Sequence, residues 1–154
     1  MHKSIGQEAI KPNPALKPFE VLIGVWKTEG THPYLPGKFF HGRSSFEWIE
    51  GGAFLMIRSE IDEPEIPSGI SIIGSDDVAG EFFVLYFDER GISRKMQTSF
   101  KGKVWTWWRD NPQFAQRFTA TLSEDGRTLT SKGEMCKDGG DWEPDLQLTY
   151  RRAP

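Results

Sequence analysis

The stretch "GVWKTEGTHPYLPG", residues 24–37, decides the fold. Trp26, Thr28, Gly30 and His32 fall on one face, and Val25, Lys27, Glu29 and Thr31 on the other. A period of two belongs to a β-strand with one face covered and the other wet. Pro33, Pro36 and Gly37 close the strand with turn residues. Its covered face carries a tryptophan and a histidine, so the same strand supplies both core and candidate chemistry.

Downstream, short runs rich in β-branched and aromatic residues alternate with turn signals. Gly51-Gly52 separates "SSFEWIE" from "AFLMIRSEI", and Asp77 to Gly80 separates "GISIIGS" from "EFFVLYF". "DERG" leads into "ISRKMQTSF", "KGK" links that run to "VWTWWR", "EDG" divides "RFTATL" from "RTLTSKGEM", and "DGG" precedes "DWEPDLQLTYRR". Six such turns in about a hundred residues describe an antiparallel meander of about ten strands. In the second strand Phe40, Phe46 and Trp48 oppose Arg43, Ser45 and Glu47. In the last, Trp142, Leu146, Leu148 and Tyr150 oppose Glu143, Asp145, Gln147 and Thr149, with Pro144 marking a bulge or an edge.

A twisted sheet of that size closes or splits, and both terminal strands are one-sided, as closure requires. The expected fold class is all-β: a closed up-and-down antiparallel barrel with one short N-terminal helix. That helix is "PALKPFEVLI", residues 14–23, kept short by Pro18. The expected organisation is an N-terminal extension over 1–13 and one barrel domain over 14–154. Closure would bring Trp26 to the C-terminal Arg151 or Arg152, and a guanidinium over the indole would seal one end.

Composition narrows the class. An apolar share of 37% with 27% charged residues suits a soluble globular chain. The start has no apolar run that reads as a signal peptide, and "FFVLYF" is too short for a membrane span. The single Cys136 excludes an internal disulfide, and a cytoplasmic location is expected. Residues 47–89 carry eleven acids and one base, and residues 90–117 seven bases and one acid. Neighbouring strands with complementary outer charges would explain that split. A cationic pocket mouth for an anionic ligand is the sharper alternative.

The run "FEVLIGVWKTEG" resembles the Gly-x-Trp opening strand of the calycin barrels: lipocalins, fatty-acid-binding proteins and nitrobindins. The string "GRSSFEWIEGGAFL…RSEID…IIGSDD…LYFDERG" is similar to an uncharacterised bacterial family of lipocalin-like barrels with no assigned activity. The nitrobindin likeness would imply haem held by a late histidine. Gly24, Trp26 and Gly30 match that family's first strand, while Thr28 and His32 replace glycines. No histidine follows His41, so the resemblance implies no haem and no cofactor is expected.

The expected function is binding of a small, largely apolar molecule inside the barrel. Trp26, Thr28, His32, Phe46, Trp48, Met96, Phe118 and Trp142 are the candidate interior wall, and Arg109 or Arg117 the contact for an anionic group. No catalytic residue and no metal site are assigned. His32 is the one credible proton-transfer group for an alternative enzymatic reading. The tryptophans of "VWTWWRD" suggest a homodimer through the Trp105, Trp107 and Trp108 strand, or an interaction module. Neither nucleic acid nor membrane is an expected partner.

Overall fold

A computed structural model describes residues 12–154, and residues 1–11 of the expected extension lie outside the described residues. Ten strands follow a helix: β1 (Gly24–Thr31), β2 (Phe40–Ile49), β3 (Phe54–Ile61), β4 (Gly69–Asp76), β5 (Glu81–Asp88), β6 (Ser93–Lys101), β7 (Val104–Arg109), β8 (Phe114–Leu122), β9 (Thr128–Lys137) and β10 (Trp142–Arg152). Every strand pairs antiparallel with its chain neighbour, and β1 pairs with β10 to close the barrel. The fold class is the all-β closed barrel.

The helix Pro14–Leu22 is of the 3₁₀ type. Its apolar residues explain the choice, because Leu16, Phe19 and Leu22 recur every third position and are fully buried. Three residues per turn stacks them on one straight face. Asn13 caps the helix by accepting a bond from the Ala15 amide on its side-chain oxygen at 3.0 Å, and its backbone N–H donates to Gly52 O at 2.8 Å. The helix closes one end of the barrel, with Phe19 edge-on to Phe82 at 5.4 Å and to Phe100 at 5.6 Å.

The closure contact involves Arg152 rather than Arg151. Trp26 lies opposite Arg152 in the β1–β10 register, and the guanidinium sits 4.1 Å from the indole centroid. Arg151 points to the outer surface and pairs with Glu29, because neighbouring strand residues face opposite ways. Gly24 makes the seal possible. Its φ of 134° suits glycine, and a Cβ there would lie 2.7 Å from Arg152 Nη1.

Alternation holds along β1 and β2, where Trp26, Thr28, Gly30, Phe40, Ser44 and Phe46 are buried. It breaks in β10. A register shift between Pro144 and Gln147 turns Asp145 inward, where it is 6% exposed, and leaves Trp142 outside at 37%. Proline lacks the amide that the ladder needs, so the strand bulges and its parity reverses across the bulge.

The expected charge pairing between neighbouring segments is largely absent. Among the described residues the acidic segment pairs backward, Glu63 and Glu65 with Lys38, and the basic one forward, Lys103 with Glu124 and Arg117 with Glu134. Only Arg90 and Asp88 pair across the boundary, within a single turn. Directly facing β5 and β6 residues such as Leu85 and Lys95 offer no opposite charges.

Candidate functional site

Inside the barrel, away from the helix, lies a cavity of about 560 Å³ that opens at the far end. Its inner end rests on a cluster of four rings. Trp26 meets Phe46 at 6.3 Å and Tyr150 at 6.5 Å, and Phe46 meets Trp105 at 5.9 Å. The buried indoles are satisfied: Trp26 Nε1 donates to Leu22 O at 3.0 Å and Trp105 Nε1 to Thr98 Oγ1 at 2.8 Å.

One wall is aromatic. Trp107 tilts against Trp105 at 4.2 Å and stacks nearly parallel on Phe118 at 5.1 Å and 8°. Phe118 lies flat against the wall because β9 has a glycine beneath it. A Cβ on Gly133 would come within 2.4 Å of the Phe118 ring. The missing methyl keeps that ring out of the cavity space.

The adjoining wall is hydroxylic. Thr28, Ser44, Ser59, Ser131 and Tyr150 all reach the cavity, from β1, β2, β3, β9 and β10. Ser44 and Ser59 face each other across β2 and β3 with their oxygens 3.2 Å apart. Thr28 stands opposite Tyr150. Burial pushes the Tyr150 phenol above its ordinary pKa, so it stays a neutral donor at neutral pH.

The mouth carries the charged groups. Asp145 Oδ1 accepts from the Leu146 amide at 2.7 Å and faces His32 Nε2 at 3.2 Å, while Oδ2 accepts from Gln116 Nε2 at 2.9 Å. The Gln116 carbonyl in turn accepts from Arg94 Nη1 at 3.3 Å. His32 Nδ1 accepts the Tyr34 amide at 3.0 Å, which assigns the ring proton to Nε2 and directs it at Asp145. Both ring nitrogens are therefore engaged. Nearby, Tyr86 Oη donates to the fully covered Asp88 carboxylate at 2.7 Å, and Arg90 Nη2 does so at 2.7 Å. The Arg90 bonds hold the Asp88 carboxyl well below the usual carboxylate range, and burial raises the Tyr86 phenol.

The sequence-derived candidates divide into three groups. Thr28, His32, Met96 and Phe118 line the cavity. Trp26 and Phe46 are buried at its inner end and Trp48 packs partly buried against the same core, so they seal the space rather than face it. Trp142 and Arg117 are outside, stacked on each other at 3.9 Å, with Arg117 also paired to Glu134. The β10 bulge accounts for Trp142. Arg117 is outward because it faces Trp108 and Glu134, both on the outer side. Arg109 stands apart from all three: among the described residues it does not line the cavity, and its buried Nε has no partner. The cations at the mouth are instead Arg90, Arg94 and Lys137. Arg94 shares strand parity with Met96, which is the signal that identifies it.

The tryptophan strand does not form a three-ring outer surface. Trp105 and Trp107 turn inward and only Trp108 faces out, since residues two apart on a strand share a face and adjacent ones take opposite faces. A haem held by histidine does not fit this cavity either. Among the described residues its one lining imidazole, His32, has no nitrogen free for iron, and no group of metal-ligating residues occurs. Among the described residues no helix is long and apolar enough to cross a membrane.

No protein-family model and no curated protein matches the sequence. Among solved structures, the crystal structure of Rv2717c from M. tuberculosis is similar over 92% of this chain and 98% of its own, with a TM-score of 0.65 and 16% identity. A protein of unknown function of the DUF3598 family, from Nostoc punctiforme PCC 73102, aligns over 92% of this chain and 100% of its own at a TM-score of 0.32 and 8% identity. At that level of identity the likeness to Rv2717c shows a shared fold.

Proposed function

We propose that this calycin-like barrel is a cytoplasmic carrier or receptor that binds one small, largely apolar molecule in its interior. The carrying observation is the cavity of about 560 Å³, within the range of small-molecule sites and open at one end. Barrels of this size either fill with side chains or enclose one ligand, and the space beside Trp107 and Phe118 favours the second outcome. His32 has both nitrogens committed to Asp145 and Tyr34, which supports a binding role over proton transfer.

Native mass spectrometry of freshly purified protein tests the reading. A stoichiometric adduct that disappears on denaturation supports it, as does quenching of tryptophan emission by an added apolar probe such as N-phenyl-1-naphthylamine. An adduct-free protein whose emission ignores that probe overturns it.

A further inference from the structure

Three hydroxyls at the inner end of the cavity lack what the neighbouring buried polar groups have. The indole N–H groups of Trp26 and Trp105 each reach an acceptor. Tyr150, Thr28 and Ser131 are only 7%, 4% and 3% exposed, yet their hydroxyls have no hydrogen-bond partner among the described residues. None of the three is a sealed orphan, because each borders the open cavity. A buried hydroxyl left without a partner destabilises a fold, so natural interiors satisfy such groups. Here three of them gather on adjacent strands: Thr28 lies opposite Tyr150, and Ser131 lies opposite Leu148, two residues from Tyr150 on the same strand. Solvent entering the open cavity can reach these hydroxyls, and a ligand that displaces it keeps their bonds only by bringing an oxygen of its own.

We propose that the inner end of the cavity binds the uncharged oxygen function, a hydroxyl or carbonyl, of a flat aromatic molecule whose rings lie along the Trp107–Phe118 stack. This rests on the interior being a ligand site. The parallel pair presents a planar wall, and aromatic rings add to such a wall in offset or edge-on contact. Neutrality follows from where the charges are. Among the described lining residues the cations are Arg90, Arg94 and Lys137, all at the mouth, and the hydroxyl end has none. A carboxylate carried to the inner end would lose its water without gaining a counter-charge. A phenol or ketone needs only the hydroxyls already there. Orientation is thereby set, with the oxygen leading and the remainder of the molecule towards the mouth.

The test uses 2-naphthol, naphthalene and 2-naphthoate, titrated calorimetrically and by tryptophan quenching into the wild type, Tyr150→Phe and Thr28→Val. The wild type should bind 2-naphthol roughly tenfold more tightly than naphthalene, the worth of one good hydrogen bond. Tyr150→Phe should abolish that preference without weakening naphthalene binding, and its thermal midpoint should equal or exceed that of the wild type. Equal wild-type binding of 2-naphthol and naphthalene overturns the proposal while the interior remains a ligand site. A preference for 2-naphthoate overturns it in favour of an anion site at the mouth. Failure of all three probes, with no native adduct, removes the cavity reading as well. If Tyr150→Phe does not fold, the wild-type preference and its loss in Thr28→Val decide.

Discussion

The Arg152 guanidinium lies 4.1 Å from the centroid of the Trp26 indole, and this contact joins the last strand to the first. The same side chain donates to Ile23 O at 2.7 Å and to Gly126 O at 3.1 Å, and it also reaches Val21 O. One residue thus ties the helix exit, the β8–β9 turn and the closing seam together. Burial lowers its pKa from the ordinary arginine value, yet the group stays charged because that value is so high.

Replacing Arg152 by alanine should cost about 2–4 kcal/mol, from a partly desolvated cation–π contact and several charge-assisted bonds. In a chain of this size that lowers the thermal midpoint by roughly 5–15 °C in a calorimetric scan. Arg152→Lys should recover little of it, since an ammonium cannot lie flat on the indole and fork to several carbonyls. A midpoint unchanged in Arg152→Ala would mean that the seam is held by the β1–β10 ladder alone.

Gly133→Ala should shrink the cavity without unfolding the barrel. The new methyl would lie 2.4 Å from the Phe118 ring and 2.9 Å from the Leu146 carbonyl oxygen, so the ring, which lines the cavity, must shift. Overpacking of this kind costs about 1–3 kcal/mol. Binding of N-phenyl-1-naphthylamine should fall more than stability does, and pairing the change with Phe118→Leu should restore it. An unaltered affinity would show that Phe118 does not bound the occupied space.

Asp88 gives the fold a pH dependence with a definite sign. Its pKa is depressed in the folded state, chiefly by the Arg90 bonds and then by Tyr86. The stabilisation is therefore complete above the unfolded carboxyl value of about 4 and is lost as pH falls through the folded value. Urea melts of the wild type and Asp88→Asn should differ by a constant amount from pH 7 to roughly pH 5, and the difference should begin to narrow below about pH 4. A gap that widens on acidification contradicts the assignment.

Asp145→Asn should loosen the mouth. Each carboxylate oxygen accepts from a donor, His32 and the Leu146 amide on one and Gln116 on the other. An amide offers only one acceptor oxygen, so one side is left donor against donor, at a cost of about 1–3 kcal/mol. Hydrogen exchange should accelerate at the Tyr34 amide, which His32 Nδ1 accepts. Protection there identical to the wild type would sever the link between Asp145 and the 32–39 loop.

Much of the barrel is written locally. The Gly-containing turns delimit the strands, and the β1 pattern of Trp26, Thr28 and Gly30 gives the inward face directly. The helix was legible as an element, and its 3₁₀ winding follows from the three-residue spacing of Leu16, Phe19 and Leu22. The site was legible only in part. Thr28, His32, Met96 and Phe118 follow from strand parity, but Trp142 does not, because a bulge of one register step reverses every side chain beyond it.

By itself the sequence determined the strands, their turns and, where no bulge intervenes, which of two faces a residue takes, since these depend on neighbours within a few positions. Tertiary structure alone decided which inward residues plug the barrel and which border open space. Trp26 and Phe46 share the parity of Thr28 and Ser44, yet the first pair is sealed beneath the helix and the second faces the cavity. The physical reason is that alternation specifies in or out but not depth along the barrel axis. Depth is set by strand tilt, by the β10 bulge and by the end that Pro14–Leu22 covers, all of which require the closed sheet.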